Sequence, residues 1–431
     1  MNVFTQEGGN GKNEFTTVSG LGLWGNWTRS FKTPLQACLD LIDNAFDAAL
    51  KPNNDGSMFE GKIIVDREFH QSPDQVGSTV ASVTANGTGS NYTRESIIIT
   101  NNAKDPMKPL GEALKIYNSV KLREEEIGEN GVGLKQGCAA LSDINFIFTR
   151  SGTELGVGFV CKELQRVDGC WLPSFSFSVE CHPDDAEEVR NQMKGEVDAI
   201  IESEEPIASL LKRVGGKKSL IDNLCEIYSH DEWKSEDYVF RLYLADMKHR
   251  NPTEATGGKE PCLIDDLKEQ LPIYYIHVPV EMTVMVDGEE MSFSYWQRRL
   301  IEMSRLKIHI NKNQFLHEFE NQDPTWITKG YELTVYCGFD SLRASRKGNT
   351  ALSLYLYSRR SGRLINKIDD ARHLLGLQHS GSDFCQGLTI IVDDFHGNLP
   401  LDPVKQNIAF SEEDGARAHE ANFYAWISGV R

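Results

Sequence analysis

Between Pro34 and Leu50 the chain reads PLQACLDLIDNAFDAAL, one amphipathic helix dense in acidic and amide groups, around which the rest of the chain can be read. Leu35, Cys38, Leu39, Ile42, Ala45, Phe46 and Ala49 recur at helical spacing, so one face belongs in a core. Asp40, Asp43, Asn44 and Asp47 crowd the rest of the surface. Four residues make about one turn, so Asp40 and Asn44 point the same way and can address one ligand. Thr33 followed by Pro34 is a good start signal, because a proline in the first turn removes only a donor that would be unpaired anyway. Taken alone, the segment also reads as a surface helix with solvated acids. The choice depends on what lies downstream.

The rest of the composition narrows the class. With 431 residues, 40% of them apolar and 25% charged, the chain has enough apolar material for more than one core, and two domains are expected. The formal net charge of -18, from 63 acidic against 45 basic residues, disfavours indiscriminate attraction to nucleic acid or to an anionic membrane. Nine cysteines occur without a C-x-x-C pair, and Cys161, Cys170 and Cys181 lack zinc-ligand spacing, so reduced core thiols are expected. The start, MNVFTQEGGNGKNEF, lacks a basic stretch followed by an apolar run, and no run of about 18 apolar residues follows. An intracellular protein without a membrane span is the expectation.

In chain order, Gly20-Leu-Gly22-Leu-Trp-Gly25 satisfies G-x-G-x-x-G, yet the next helix starts only at Pro34 and Asp40 falls inside it. A dinucleotide fold needs the opposite. The segment reads instead as an irregular arm whose Trp24 and Trp27 need a surface to pack on. GKIIV at 61–65 and SIIIT at 96–100 are β-branched runs separated by a long polar excursion. The second run enters Asn101-Asn-Ala-Lys-Asp-Pro-Met107, a polar turn at a strand end. Further on, Ile127-Gly-Glu-Asn-Gly-Val-Gly-Leu-Lys-Gln-Gly137, with glycines at 128, 131, 133 and 137 and the charge of Lys135, leads into an apolar helix. Glycines allow close backbone approach, and a helix start turns free N–H groups and a positive dipole end outward, which is the chemistry of a phosphate cradle. G-x-x-x-x-G-K-[ST] is absent, so this is not a P-loop. PDDAEEVRNQMKGEVDAIIESEEPIASLLKRV reads as an acid-rich helical cover broken at Pro206. Proline and glycine cluster in residues 249–261, where a domain boundary is expected. Beyond it IYYIHVPVEMTVMVDG, YELTVYCGF, TALSLYLYS and GLTIIVDDF read as strands, with RHLLGL and the closing SEEDGARAHEANFYAWISGV as helices. Three basic clusters stand against the acidic average: Arg298, Arg299, Arg305 and Lys307; Arg343, Arg346 and Lys347; Arg359, Arg360 and Arg363.

DLIDNAFDAA, IIITNNAKDPM, YNSVKL and IGENGVGLKQGCAALSD, in that order, resemble the motifs of the GHKL ATPases, which include gyrase B, the heat-shock chaperone ATPases, MutL proteins and histidine kinases. Within these the chain looks most like the MORC (microrchidia) proteins. GRLI at 362–365 and LDPVKQNIAF at 401–410 resemble the family's transducer domain. The resemblance implies an α+β protein: an N-terminal arm over 1–33, a GHKL (Bergerat) ATPase α/β sandwich over 34–254, and a transducer-like domain over 255–431. It implies ATP and Mg2+ as cofactors, with Asn44 the metal ligand and Asp47 and Ala48 beside it. Asn101 and Met107 would meet the adenine. Ser119, Lys121, Gly128, Gly131, Val132, Gly133, Leu134 and Lys135 would surround the phosphates, and Lys405 with Gln406 would reach the terminal phosphate. It also implies dimerisation of two chains on ATP through the arm, contact of the basic clusters with DNA or chromatin, and a nuclear location.

Departures from the family pattern bear on catalysis. The general base is a glutamate in the family and Asp40 here, which withdraws the carboxylate by about 1.5 Å. A misplacement of about 1 Å can cost about a hundredfold in rate. The adenine-binding aspartate is replaced by Asn101, a weaker because neutral acceptor, and the glycines of that motif fall on Ala103 and Asp105. Glu236-Asp237 stands where the family has a glycine-threonine pair. Slow hydrolysis is therefore expected, the alternative being a pseudo-ATPase that serves as a structural or interaction module of the same fold.

Overall fold

A computed structural model describes residues 13–18, 22–51, 53, 55–71, 93–106, 109–114, 133–166, 169–203, 205–213, 216–248, 263–310, 331–344, 352–358, 361–373 and 387–397. The architecture is α+β. By contact the chain forms two compact units, the first taking the described residues up to Leu267 together with Val280–Glu290, the second Lys268–Pro279 and the described residues from Met291 onward.

The first unit is a mixed sheet between two layers of helices. Its strands are β1 (Asn13–Val18), β2 (Lys62–Gln71), β3 (Thr93–Asn102), β4 (Ser142–Ser151), β5 (Glu154–Cys161), β6 (Gln165–Arg166), β7 (Gly169–Ser178), β8 (Tyr238–Met247), β9 (Thr283–Val286) and β10 (Glu289–Glu290). Among the described residues they are ordered β1, β7, β5, β4, β8, β3, β2, β9, β10, with β6 on β7. β2 and β3 pair antiparallel, as the two β-branched runs suggest.

Strand pleating divides the core. Ile98, Phe146, Phe148, Val157, Phe159, Phe175 and Tyr243 face one side, where α5 (Ala186–Ser203), α6 (Glu205–Arg213) and α7 (Gly216–Ser229) lay down Val189, Met193, Val197, Leu210, Leu224 and Ile227. The acid-rich stretch is thus a cover, and Pro206 sits in the first turn of α6, where its missing N–H costs nothing. The alternate residues Ile97, Ile99, Ile147, Val160, Leu242 and Leu244 are buried on the opposite face. There lie α2 (Pro34–Ala49) and α4 (Gly133–Leu141), with the short α3 (Leu110–Leu114) over β5.

The described part of the arm is less irregular than its sequence implies. β1 pairs antiparallel with β7 of the same chain, and Leu23–Thr28 forms a helix, α1, behind Gly22 at φ 80°. Trp24 and Trp27 are 2% and 3% exposed, and α1 packs on α4, so the tryptophans find their surface within the chain.

The expected boundary at 254/255 also shifts. TVMV pairs parallel with Lys62–Val65 and belongs to the first sheet, while IYYI ends a helix, α8 (Leu263–Tyr274), rather than starting a strand. Alternation identified Thr283–Val286 as a strand, but nothing local to it names the sheet it joins.

In the second unit β11 (Leu300–Ile310), β12 (Tyr331–Asp340), β13 (Ser353–Ser358), β14 (Arg363–Ile368) and β15 (Leu388–Asp394) form a sheet of order β11, β12, β15, β13, β14, with β13 and β15 parallel. An aromatic core of Trp296, Tyr355, Tyr357 and Ile391 covers one face, joined by Ile273, Tyr274 and Tyr295 from α8 and α9 (Tyr295–Arg299). Two of the basic residues expected at a nucleic-acid surface serve this packing instead. Arg299 Nε donates to the buried Asp340 at 2.7 Å, and Arg363, 4% exposed, donates to Leu364 O at 2.8 Å with its guanidinium 5.0 Å from the Tyr274 ring. Arg346, Lys347, Arg359, Arg360 and the closing helix lie outside the described residues.

Arg150 on β4 holds the end of α7. Its Nη1 donates to Trp233 O at 3.0 Å and to Ile227 O and Tyr228 O at 3.3 Å, and the guanidinium lies over the Tyr228 ring. Those helix-end carbonyls have no partner within the helix. Arg150→Met should lower the unfolding free energy by about 2–4 kcal/mol, since charged hydrogen bonds are lost while buried acceptors remain. Chemical denaturation of both proteins measures this, and a change under about 0.5 kcal/mol would contradict the assigned role.

Candidate functional site

Helix α2 begins as its sequence requires: Thr33 Oγ1 accepts from Gln36 N at 3.2 Å and Pro34 occupies the first turn. Its acids, however, are not solvated. Asp40, Asp43 and Asp47 are 3%, 0% and 8% exposed, and Asn44 is half-buried with its Nδ2 donating to Asp40 O at 3.1 Å. Burying a carboxylate costs several kcal/mol unless hydrogen bonds or opposite charge compensate it. Three on one helix are not the signature of a surface cover.

Two segments singled out in the sequence meet around this helix. At its N-terminal half α4 approaches so closely that a Cβ on Gly137 would stand 2.7 Å from Leu41 Cδ2, and a Cβ on Gly133 would stand 2.5 Å from Asp40 Oδ2. Asp40 therefore abuts the first residue of α4, where unpaired N–H groups and the positive dipole end favour an anion. Beyond the C-terminal end of α2, Lys51 Nζ contacts Asp105 Oδ2 at 3.1 Å, tying the helix to the turn after β3. Asp105 is turned outward, with its side chain 54% exposed. Asn101, 2% exposed, lies on the α2 face of β3 by the alternation that puts Ile98 on the other; its Nδ2 donates to Asn102 O at 2.9 Å, which turns its carbonyl oxygen away from that bond. Gly133, Leu134 and Ala48 are half-buried.

Lys135 departs from expectation. It lies on the inner side of α4, 1% exposed, with Nζ donating to Ala113 O at 2.7 Å rather than reaching the open first turn. Burial holds its pKa down to about 8. The third residue of a helix points some 200° round from the first, and here that direction is the interior. Met107, Ser119, Lys121, Gly128, Gly131, Val132, Lys405 and Gln406 lie outside the described residues.

One residue that the motif reading passed over is Asn102. Its Oδ1 accepts from Lys62 N at 2.7 Å, while its Nδ2 donates to Glu60 O at 3.0 Å and to Glu236 Oε2 at 3.1 Å. It fastens the end of β3 to β2 and gives Glu236 a partner. The doublet Asn101-Asn102 at the end of an apolar strand was the available signal: on a pleated strand the two amides face opposite ways.

Oxygen groups of this kind suit a hard cation. Among the described residues no three His, Cys, Asp or Glu side chains converge as a metal cage, so a magnesium ion here would be held through few protein atoms and otherwise by water and ligand oxygens. No described helix is long and apolar enough to cross a membrane.

No family model matches the chain, and no curated protein does. Solved structures similar to it include the ATPase region of Saccharomyces cerevisiae topoisomerase II, at 9% identity and TM-score 0.41 over 92% of this chain and 86% of that one. They also include the B subunit of DNA gyrase from Myxococcus xanthus, at 10% identity and TM-score 0.36 over 91% and 89%. At these scores the likeness carries no weight by itself.

Lys135 makes a pH-dependent contribution. Its pKa is 10.5 when unfolded and about 8 when folded, so between these values the unfolded chain binds the extra proton and stability rises with pH. The stability of the native protein relative to Lys135→Met should increase from pH 7.5 to pH 10.5 by up to about 3 kcal/mol. Denaturation across that range checks it, and a flat difference would show that Lys135 is hydrated.

Proposed function

We propose that the first unit is an ATP-binding module of GHKL type. The observation that carries this reading is the convergence on α2: Asp40 against the start of α4, and the strand end at Asn101 alongside. A polyphosphate at the start of α4 would sit near the Asp40 carboxylate, and a divalent cation between them removes the repulsion, which is the place for Mg2+ with Asn44 as its ligand. Magnesium would supply charge neutralisation at the phosphates. Asp40 would accept a proton from water, and its short side chain argues for slow turnover. Asn101 would accept from the adenine amino group. Ser119, Lys121 and the glycines from 128 to 133 are proposed at the phosphates on the resemblance of their motifs.

Calorimetry with a non-hydrolysable ATP analogue and magnesium should show binding, and Asn44→Ala should abolish it. Asp40→Asn should bind while losing turnover. The absence of heat and of a thermal shift with millimolar nucleotide would overturn the reading. Equal hydrolysis by wild type and Asp40→Asn would remove Asp40 as base and favour the pseudo-ATPase alternative.

The finer reading is a MORC-like module that pairs two copies on ATP and acts on DNA or chromatin in the nucleus. β1 is an edge strand among the described residues, so the arm is the segment whose exchange between copies would join them. Lys405, with Gln406, is the proposed sensor: a lysine touching only the terminal phosphate distinguishes ATP from ADP. Arg298 and Arg305 are exposed and remain available to DNA, whereas Arg299 and Arg363 do not. In sedimentation the ATP analogue, and not ADP, should convert monomer to dimer, and Lys405→Ala should prevent the shift while nucleotide still binds. A variant that dimerises as wild type does would exclude the coupling.

A further inference from the structure

The second unit contains a pocket of about 150 Å3 that the proposed nucleotide chemistry does not use. Ile276, Phe293, Trp296, Met303, Tyr336 and Ile391 form its apolar walls, and Gln297 and His277 are its polar lining. Trp296 is held in place: its indole N–H donates to Tyr357 Oη at 2.8 Å, Tyr357 in turn donates to Ile273 O at 2.7 Å, and the Tyr355 ring stands against Trp296 at a centroid distance of 4.7 Å. An apolar space of this size holds one six-membered ring.

One end of the pocket is polar. His277 lines it, and its Nε2 lies 2.7 Å from Oδ2 of Asp393, which is 3% exposed. A carboxylate only accepts, so Nε2 carries a proton and donates it to Asp393. Asp393 Oδ1 is buried with no hydrogen-bond partner. Asp393 is two residues along β15 from Ile391 and shares its face of the sheet. A buried acceptor is ordinarily paired, and this carboxylate keeps one acceptor without a donor.

The entrance is shaped by irregular backbone. The register between β11 and β12 shifts between Ile301 and Ser304, and Glu302 has φ 52°. Gly338 opposite makes room, since a Cβ there would be 3.2 Å from Ile301 O and 3.4 Å from Met303 Cα. Bulges of this kind re-aim a side chain, and here the bulge includes Met303, which lines the pocket while remaining 46% exposed. Phe395, 40% exposed, stands edge-on to His277 at 5.5 Å.

We propose that this pocket binds a small single-ring aromatic compound carrying an N–H donor, its ring against the aromatic walls and its donor on the His277–Asp393 pair. Fluorine NMR on the full 431-residue chain tests this with para-fluoroaniline and fluorobenzene, which differ in the donor. The protein should broaden the para-fluoroaniline line, excess aniline should restore it, and fluorobenzene should bind about tenfold more weakly, the worth of one hydrogen bond. Asp393→Asn, with secondary structure checked by circular dichroism, should abolish the preference, because its amide oxygen accepts from His277 and its NH2 replaces the free acceptor. Broadening of neither line, equal affinity for the two probes, or a preference retained in the folded Asp393→Asn protein would each overturn the proposal. If that variant does not fold, the comparison of the two probes on wild type decides.

Discussion

The close crossing of α2 and α4 is the constraint on which the first unit depends. Helices ordinarily approach to about 8–10 Å, and a side chain at Gly133 or Gly137 would meet Asp40 or Leu41 at 2.5 or 2.7 Å. With hydrogen at both positions, α2 and α4 share one face of the sheet, and the first residue of α4 comes against a carboxylate. That contact is also electrostatic, because the start of a helix carries partial positive charge. Packing and charge compensation are therefore delivered by the same glycine.

Around that crossing the sheet acts as an insulating layer. Its far face is an aromatic and aliphatic core roofed by α5, α6 and α7, with Arg150 on β4 and Arg241 on β8 as polar ties. Arg241 Nη1 donates to Thr100 Oγ1 at 2.9 Å and its Nε to Asn223 Oδ1 at 2.7 Å, joining β3, β8 and α7. The near face concentrates the buried polar groups of α2. This asymmetry allows one sheet to be both a packed core and the floor of a polar site.

The second unit uses a different material. Its core is dominated by tyrosine and tryptophan, whose polar tips must be satisfied when buried, and the chain from Trp296 through Tyr357 to Ile273 O does so without charge. Tyr357 is fully buried, and burial drives its pKa well upward, so it stays a neutral donor. Elsewhere in the unit, at Asp393, one buried acceptor remains unpaired.

Much of this was legible in the sequence because it is local. The 3.6 spacing and the Thr33-Pro34 start define α2 within its own residues, and β-branched, alternating or apolar runs define β3, β12, β13 and β15 in the same way. The order of motifs also marked α2, the end of β3 and the start of α4 as one neighbourhood. What distant segments do to one another was not legible. Whether Asp40, Asp43 and Asp47 are solvated depends on α4 and the sheet closing over them; the inward direction of Lys135 depends on α3 supplying the Ala113 carbonyl; and the membership of Thr283–Val286 depends on an open edge at β2 more than 200 residues earlier. Arg299 and Arg363 read as surface charge because sequence reports a side chain's charge and not its neighbours. Periodicity encodes which face of an element is apolar, whereas the partner that covers that face is a property of the assembled chain, and here only the tertiary structure determined it.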